Sequence, residues 1–138
     1  MMIHFRGRVK TWENAGMRGI YVHVPFCVRK CGYCDFYSVA GGEEARDRFP
    51  ALLEREMDLL LREFPGEASL PADTVYFGGG TPTVLGPGRL NRLLAAIRSR
   101  FPLADDAEIT TEANPGTVTG GDFARLRDRK STRLNSSH

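Results

Sequence analysis

The chain has 138 residues, 41% apolar and 26% charged, which is enough for one folded domain with a sizeable core. Its formal charge of +2 comes from residues 128–138 (DRKSTRLNSSH), and the balanced remainder gives no sign of a nucleic-acid partner. No apolar run approaches the roughly 18 residues of a membrane-spanning helix, and the basic N-terminus lacks the apolar stretch of a secretory signal.

Residues 1–18 show neither helical nor strand periodicity. They are expected to stand outside the fold, as a flexible extension or as residues ahead of a true start at Met17. Ile20 to Val24 forms the first strand, with Tyr21 and His23 on one face and Ile20, Val22 and Val24 on the other. Pro25 ends it, because proline cannot donate to a ladder, and a cysteine-bearing loop follows. Phe49, Leu53, Met57, Leu60 and Phe64 recur at helical spacing and predict an amphipathic helix over 49–64. Asp47 is its expected cap, Pro50 lies in its first turn, and Pro65-Gly66 stops it.

A second strand, Thr74 to Phe77, runs into Gly78-Gly79-Gly80-Thr81-Pro82. Pro87 opens a second helix, with Leu90, Leu93, Leu94, Ile97 and Phe101 on its apolar side. Glu108 to Thr111 is the third strand, followed by Glu112-Ala113-Asn114-Pro115-Gly116, and Asp122 caps a third helix beginning at Phe123. Strands alternating with helices, without hairpin signals between them, predict an α/β fold with a parallel sheet. Sites in such sheets form at the C-terminal ends of strands, so the three loops following the strands should share one rim. Three βα units would leave one sheet edge unpaired and one flank of the core uncovered. Residues 19–127 are read as the folded core. The final eleven residues match the translation of a common sequencing adapter and are read as an artefact, the alternative being a natural polar tail.

Cys27, Cys31 and Cys34 are the chain's three cysteines, in C-x3-C-x2-C spacing. An odd cluster without a secretory signal argues against disulfides and for a reducing, cytoplasmic setting. Zinc would want a fourth ligand, for which His23 is poorly aimed. A group of inert thiols is a second reading. An iron–sulfur cluster on three thiolates, with one iron open to a small molecule, is the third and best supported.

This spacing after the first strand, with Tyr33 directly before the last cysteine, resembles the radical S-adenosylmethionine enzymes. The resemblance implies a partial (βα)6, TIM-like barrel, of which this chain is the N-terminal half. It also implies a [4Fe–4S] cluster on Cys27, Cys31 and Cys34 that binds S-adenosylmethionine, with cofactor contacts from Tyr21, Tyr33, Gly79, Gly80, Thr81 and Glu112. His23 remains open between a satisfied inward-facing histidine and a weak catalytic candidate.

YVHVPFC, YCDFYS, YFGGGTPT and TEANPGT together resemble the oxygen-independent coproporphyrinogen III oxidase family and its heme-chaperone relatives. The oxidases carry another cysteine where this chain has Phe36, and CDFYS is the form of the chaperone branch. The resemblance therefore implies a heme chaperone that binds heme and passes it to apo-hemoproteins. The alternative is an oxidase acting on a porphyrinogen by oxidative decarboxylation of propionates, and whether the chain is an enzyme is left open between the two. An electron donor is implied as a further partner.

Overall fold

The structure is a computed structural model that describes residues 2–6, 8–14, 16–27, 42–113 and 132–136, with side chains described for 8–13, 16–27 and 42–113. The described strands form one six-stranded sheet in the order β1 (Met2–Arg6), β2 (Val9–Asn14), β3 (Met17–Val24), β4 (Ala72–Gly79), β5 (Leu103–Ala113) and β6 (Thr132–Ser136). From β3 to β6 every pairing is parallel, whereas β1, β2 and β3 pair antiparallel. Helix α1 (Glu43–Glu63) connects β3 to β4, and α2 (Pro87–Arg100) connects β4 to β5.

The antiparallel hairpin corrects the expectation that residues 1–18 stand outside the fold. Val9 and Thr11 are buried while Lys10 and Trp12 are half-buried, a two-residue alternation too short to register as a strand in sequence. The turn between β2 and β3 is short, with Asn14 opposite Met17 and Gly16 at φ +79°, a conformation glycine adopts without strain. Neither partner strand stands alone; each is made by pairing with the next, out to β3.

At the other end of the sheet Thr132–Ser136 lies alongside Ile109–Ala113, so the described sheet extends one parallel strand past β5 and ends at β6. A parallel ladder draws on backbone N–H and C=O groups that every residue except proline supplies in full, so side-chain pattern gives little warning of it. The third helix expected from Phe123 falls outside the described residues.

Helix α1 begins six residues before the predicted start at Phe49. Its N-cap is Gly42, which makes no side-chain capping bond. Glu43 and Glu44 favour the positive helix end, and Glu44 pairs with Arg48 at 2.7 Å. This opening turn is held by charge rather than by an apolar stripe, so periodicity misses it. Asp47 is accordingly no cap; it lies inside the helix, where its Oδ1 accepts Arg89 Nε at 3.1 Å. Pro50 sits well inside α1, buried, and deprives the Arg46 carbonyl of its helical partner. The helix ends as expected, with Phe64 N–H on Leu60 O at 2.8 Å and Pro65 opening a 3₁₀ turn.

Both helices cover one face of the sheet. Ile20, Val22 and Val24 of β3, Val75 and Phe77 of β4 and Ile109 of β5 pack with Phe49, Leu53, Met57 and Leu60 of α1 and Leu93 and Ile97 of α2 in a single core. Arg92–Glu54 (3.0 Å) and Arg100–Asp58 (2.8 Å) lie along the seam between the two parallel helices; exposed as they are, each contributes little. The opposite face of the sheet carries Lys10, Tyr21, His23, Tyr76, Thr110 and Glu112, and its upper rim is the C-terminal end of β3, β4 and β5.

A buried ion pair fixes the lower end of β3. Arg18 and Glu67 are each 5% exposed and bonded to one another. The same guanidinium donates to the carbonyls of Glu67 (3.2 Å) and Leu70, while the Arg18 backbone N–H donates to Asp73 Oδ2 at 2.8 Å. β3 is thereby tied to the turn that delivers the chain into β4. Burial lowers the pKa of Arg18, against the pull of Glu13 and Asp73.

Candidate functional site

The rim is assembled by backbone bonds between two loops far apart in sequence. Gly80 N–H donates to Val24 O at 2.8 Å, and Thr81 N–H donates to Phe26 O at 2.6 Å. These bonds continue the β3–β4 ladder past its last pair, Val24 with Gly79, and hold the glycine run against the root of the cysteine loop. Phe26, 4% exposed, packs edge-on against Phe49 of α1, with ring centroids 5.1 Å apart, so Cys27 leaves from a fixed point. The predicted meeting of Cys27, Gly79, Gly80 and Thr81 is observed. Cys31, Cys34, Tyr33 and Phe36 lie outside the described residues. Among the described residues no three His, Cys, Asp or Glu side chains group to hold a metal, and Cys27 is a free thiol.

The three glycines have three separate jobs. A Cβ on Gly78 would lie 2.6 Å from the Tyr76 ring and 3.1 Å from that of Tyr21. Gly79 has φ +109°, and a Cβ there would press on the His23 ring at 2.7 Å. A Cβ on Gly80 would meet Phe26 O at 2.4 Å and Cys27 Sγ at 2.8 Å. Only the last two stand at the cysteine rim; the first makes room for a pair of tyrosines.

Below the rim, on the sheet face away from the helices, Tyr21 and Tyr76 sit opposite one another in register and stack, with centroids 5.9 Å apart and planes 16° apart. Tyr21 Oη is 3.1 Å from His23 Nδ1. Tyr76 Oη donates to Glu112 Oε1 at 2.6 Å. Lys10 Nζ lies 5.7 Å from the centre of the Tyr21 ring, within cation–π range. Tyr21 and His23, from one predicted strand, and Glu112, from the end of another, thus converge on one polar cluster. The sequence reading missed Tyr76, although the period-two alternation that puts Phe77 in the core already turns Tyr76 to this face.

Burial, and then the hydrogen bond and charge of Glu112, push the Tyr76 phenol up to about 12. Burial, followed by the same carboxylate, also raises Tyr21. Both phenols are therefore protonated at neutral pH, and Tyr76 is the donor to Glu112. A phenol raised above its unfolded value stabilises the fold below pH 10 and loses that contribution as pH climbs toward 12. Absorbance of phenolate should show Tyr76 ionising near 12, and Tyr76→Phe should remove that step together with part of the alkaline loss of stability.

Comparison with known proteins covers both sequence and fold. The family model described as the radical SAM superfamily matches residues 21–137. The chain is 43% identical over 120 residues to the heme chaperone HemW of Mycobacterium tuberculosis, covering 85% of this chain and 30% of that protein. It is 44% identical over 105 residues to heme chaperone HemW of Escherichia coli K12, covering 75% and 27%. Anaerobilin synthase of Escherichia coli O157:H7 is 34% identical over 140 residues, covering 91% and 31%. The chain therefore spans about 30% of the length of these curated relatives. Among solved structures, coproporphyrinogen III oxidase (HemN) of Escherichia coli superposes with a TM-score of 0.71 at 29% identity, covering 81% of this chain and 25% of that one. The expected α/β architecture, part of a TIM-like barrel, agrees with this neighbour, and the antiparallel hairpin at one edge is an addition to that expectation.

Proposed function

The chain belongs to the radical SAM superfamily, and from that premise we propose a heme chaperone that carries a [4Fe–4S] cluster and S-adenosylmethionine and delivers heme to apo-hemoproteins. The observation that carries this reading is the 43–44% identity to proteins named heme chaperones, with Phe36 where the oxidases have a further cysteine.

The residues suit the cofactors. Thiolates are the donors iron–sulfur clusters take, and three of them leave one iron for a small molecule. Beside Cys27 the rim is bare backbone, because Gly80 leaves open the volume a Cβ would fill 2.8 Å from Sγ. In this reading Cys27, Cys31 and Cys34 hold the cluster, which supplies one-electron reduction of the cofactor's sulfonium when an electron donor is present. Gly79 and Gly80 let the cofactor approach the backbone closely, and the Thr81 hydroxyl faces it. The N–H groups of Gly80 and Thr81 are already committed to Val24 and Phe26, and the Thr81 carbonyl accepts Val84 N–H, so Gly80 serves through shape and its carbonyl and Thr81 through its hydroxyl. Glu112 accepts the N–H of the cofactor's amino group. Tyr21 walls the site, Tyr33 is assigned a cofactor contact by its place in the cysteine motif, and His23, beside Tyr21, is the candidate for moving a proton. An odd cluster of three cysteines fits a cytoplasmic setting, and no helix among the described residues is long and apolar enough to cross a membrane.

The fold shared with coproporphyrinogen III oxidase supports decarboxylation of a porphyrinogen as the second reading. One experiment separates the two. The full-length protein, reconstituted anaerobically, is titrated with heme and followed at the Soret band, then mixed with an apo-hemoprotein. In parallel it is incubated with coproporphyrinogen III, S-adenosylmethionine and a reductant. Heme binding and transfer without release of carbon dioxide is the expected result; conversion to protoporphyrinogen would overturn the chaperone.

A further inference from the structure

We infer that Tyr76 is a positioning residue for the cofactor's amino group: its phenol ties down one oxygen of Glu112 and presents the other to that group. The inference rests on the cofactor reading above and extends it to a side chain 36 positions from the glutamate it serves.

Four observations converge on this role. The Tyr76 Oη to Glu112 Oε1 bond, at 2.6 Å, has the short length of a hydroxyl donating to a carboxylate. The ring itself has little freedom, stacked on Tyr21 on one side and leaning into the space left by Gly78. A Cβ at position 78 would lie 2.6 Å from Tyr76 Cε1, so this pose of the ring uses the space that the first glycine of the run leaves. Burial and Glu112 keep the phenol protonated, hence a donor, across the neutral range. Packing alone would be served equally by phenylalanine; the hydroxyl adds a fixed orientation for the carboxylate. A carboxylate fixed before binding loses less rotamer freedom when the amino N–H arrives, and the gain appears as affinity.

The test is a four-protein cycle in the full-length, cluster-reconstituted protein: wild type, Tyr76→Phe, Glu112→Gln and the double variant. Calorimetric titration measures the Kd for S-adenosylmethionine and for 5′-methylthioadenosine, which lacks the amino-acid group. Tyr76→Phe keeps the stacked ring, and its cluster absorbance and thermal unfolding report whether the fold is intact. The expected result is about a tenfold weaker S-adenosylmethionine Kd in Tyr76→Phe, no further loss when the same change is made in Glu112→Gln, and unchanged 5′-methylthioadenosine binding. An equal loss in both backgrounds, or for both ligands, would make Tyr76 a merely structural tyrosine and overturn the inference, as would no loss. If Glu112→Gln itself leaves S-adenosylmethionine binding intact, the assignment of Glu112 falls and the inference falls with it. That outcome is distinct from one in which only Tyr76→Phe is silent.

Discussion

Glu67→Leu is expected to lower the unfolding free energy by about 3–5 kcal/mol, because it strands a buried guanidinium. Arg18 is 5% exposed and cannot shed its proton to escape the low-dielectric site. The carbonyls of Glu67 and Leu70 would still accept from it and the charges of Glu13 and Asp73 would still act on it, but none of these replaces the carboxylate bonded to the guanidinium. Such a loss is a large fraction of the stability of a small domain, so the variant should unfold at much lower denaturant concentration. Arg18→Met/Glu67→Leu should recover most of the loss, since it removes both desolvation costs and fills the space with apolar groups. Equilibrium urea unfolding of the three variants checks this. A double variant no more stable than Glu67→Leu would mean that the pair's bonds, and not the stranded charge, set the cost.

Cys27→Ala and Gly80→Ala are both expected to prevent cluster assembly, the first by removing a proposed ligand and the second by displacing it. A methyl at position 80 would sit 2.4 Å from Phe26 O and 2.8 Å from Cys27 Sγ. The nearest neighbour is a backbone carbonyl, so the clash cannot be relieved by turning a side chain. The ladder bonds Gly80 to Val24 and Thr81 to Phe26 would have to shift, and with them the root of the cysteine loop. Overpacking of this kind costs about 1–3 kcal/mol in stability, but the effect on the cluster should be far larger, because ligation depends on placement. Gly88→Ala, with nothing within 4 Å of the added carbon, is the matched control and should assemble normally. Iron content and visible absorbance after anaerobic reconstitution give the readout. A full cluster in Gly80→Ala would show that the rim can move without consequence, and a full cluster in Cys27→Ala would refute its assignment as a ligand.

Local chemistry made much of this site legible. The alternation of Ile20 to Val24 fixed which side of β3 faces the helices, and Pro65 and Pro87 marked where α1 ends and α2 begins. That the C-terminal ends of β3, β4 and β5 share one rim followed from the βα alternation, since parallel strands must all point the same way. Cys27, Gly79, Gly80 and Thr81 meet there, and Glu112 stands at the end of the neighbouring strand. The misses share a different character. Asp47 is well suited to cap a helix, yet it pairs with Arg89, 42 residues away. Arg18 falls in a segment without periodicity, and its partner Glu67 is 49 residues away. The hairpin of β1 and β2 exists through its pairing with β3, and a strand's stability lies in its neighbours more than in its own residues.

By itself, the sequence determined the chemistry available: three thiols at close spacing, a glycine run, and a glutamate, each following a strand. These are matters of residue type and local period, and both are written along the chain. The tertiary structure alone decided how those groups are held. It set Tyr76 against Glu112 and gave Gly78 to the tyrosines and Gly80 to Cys27. It also locked β3 from below with a buried ion pair. The physical reason is that hydrogen bonds, ion pairs and steric limits act over a few ångströms of space, and residues 36 to 49 positions apart come within that range only once the sheet has formed.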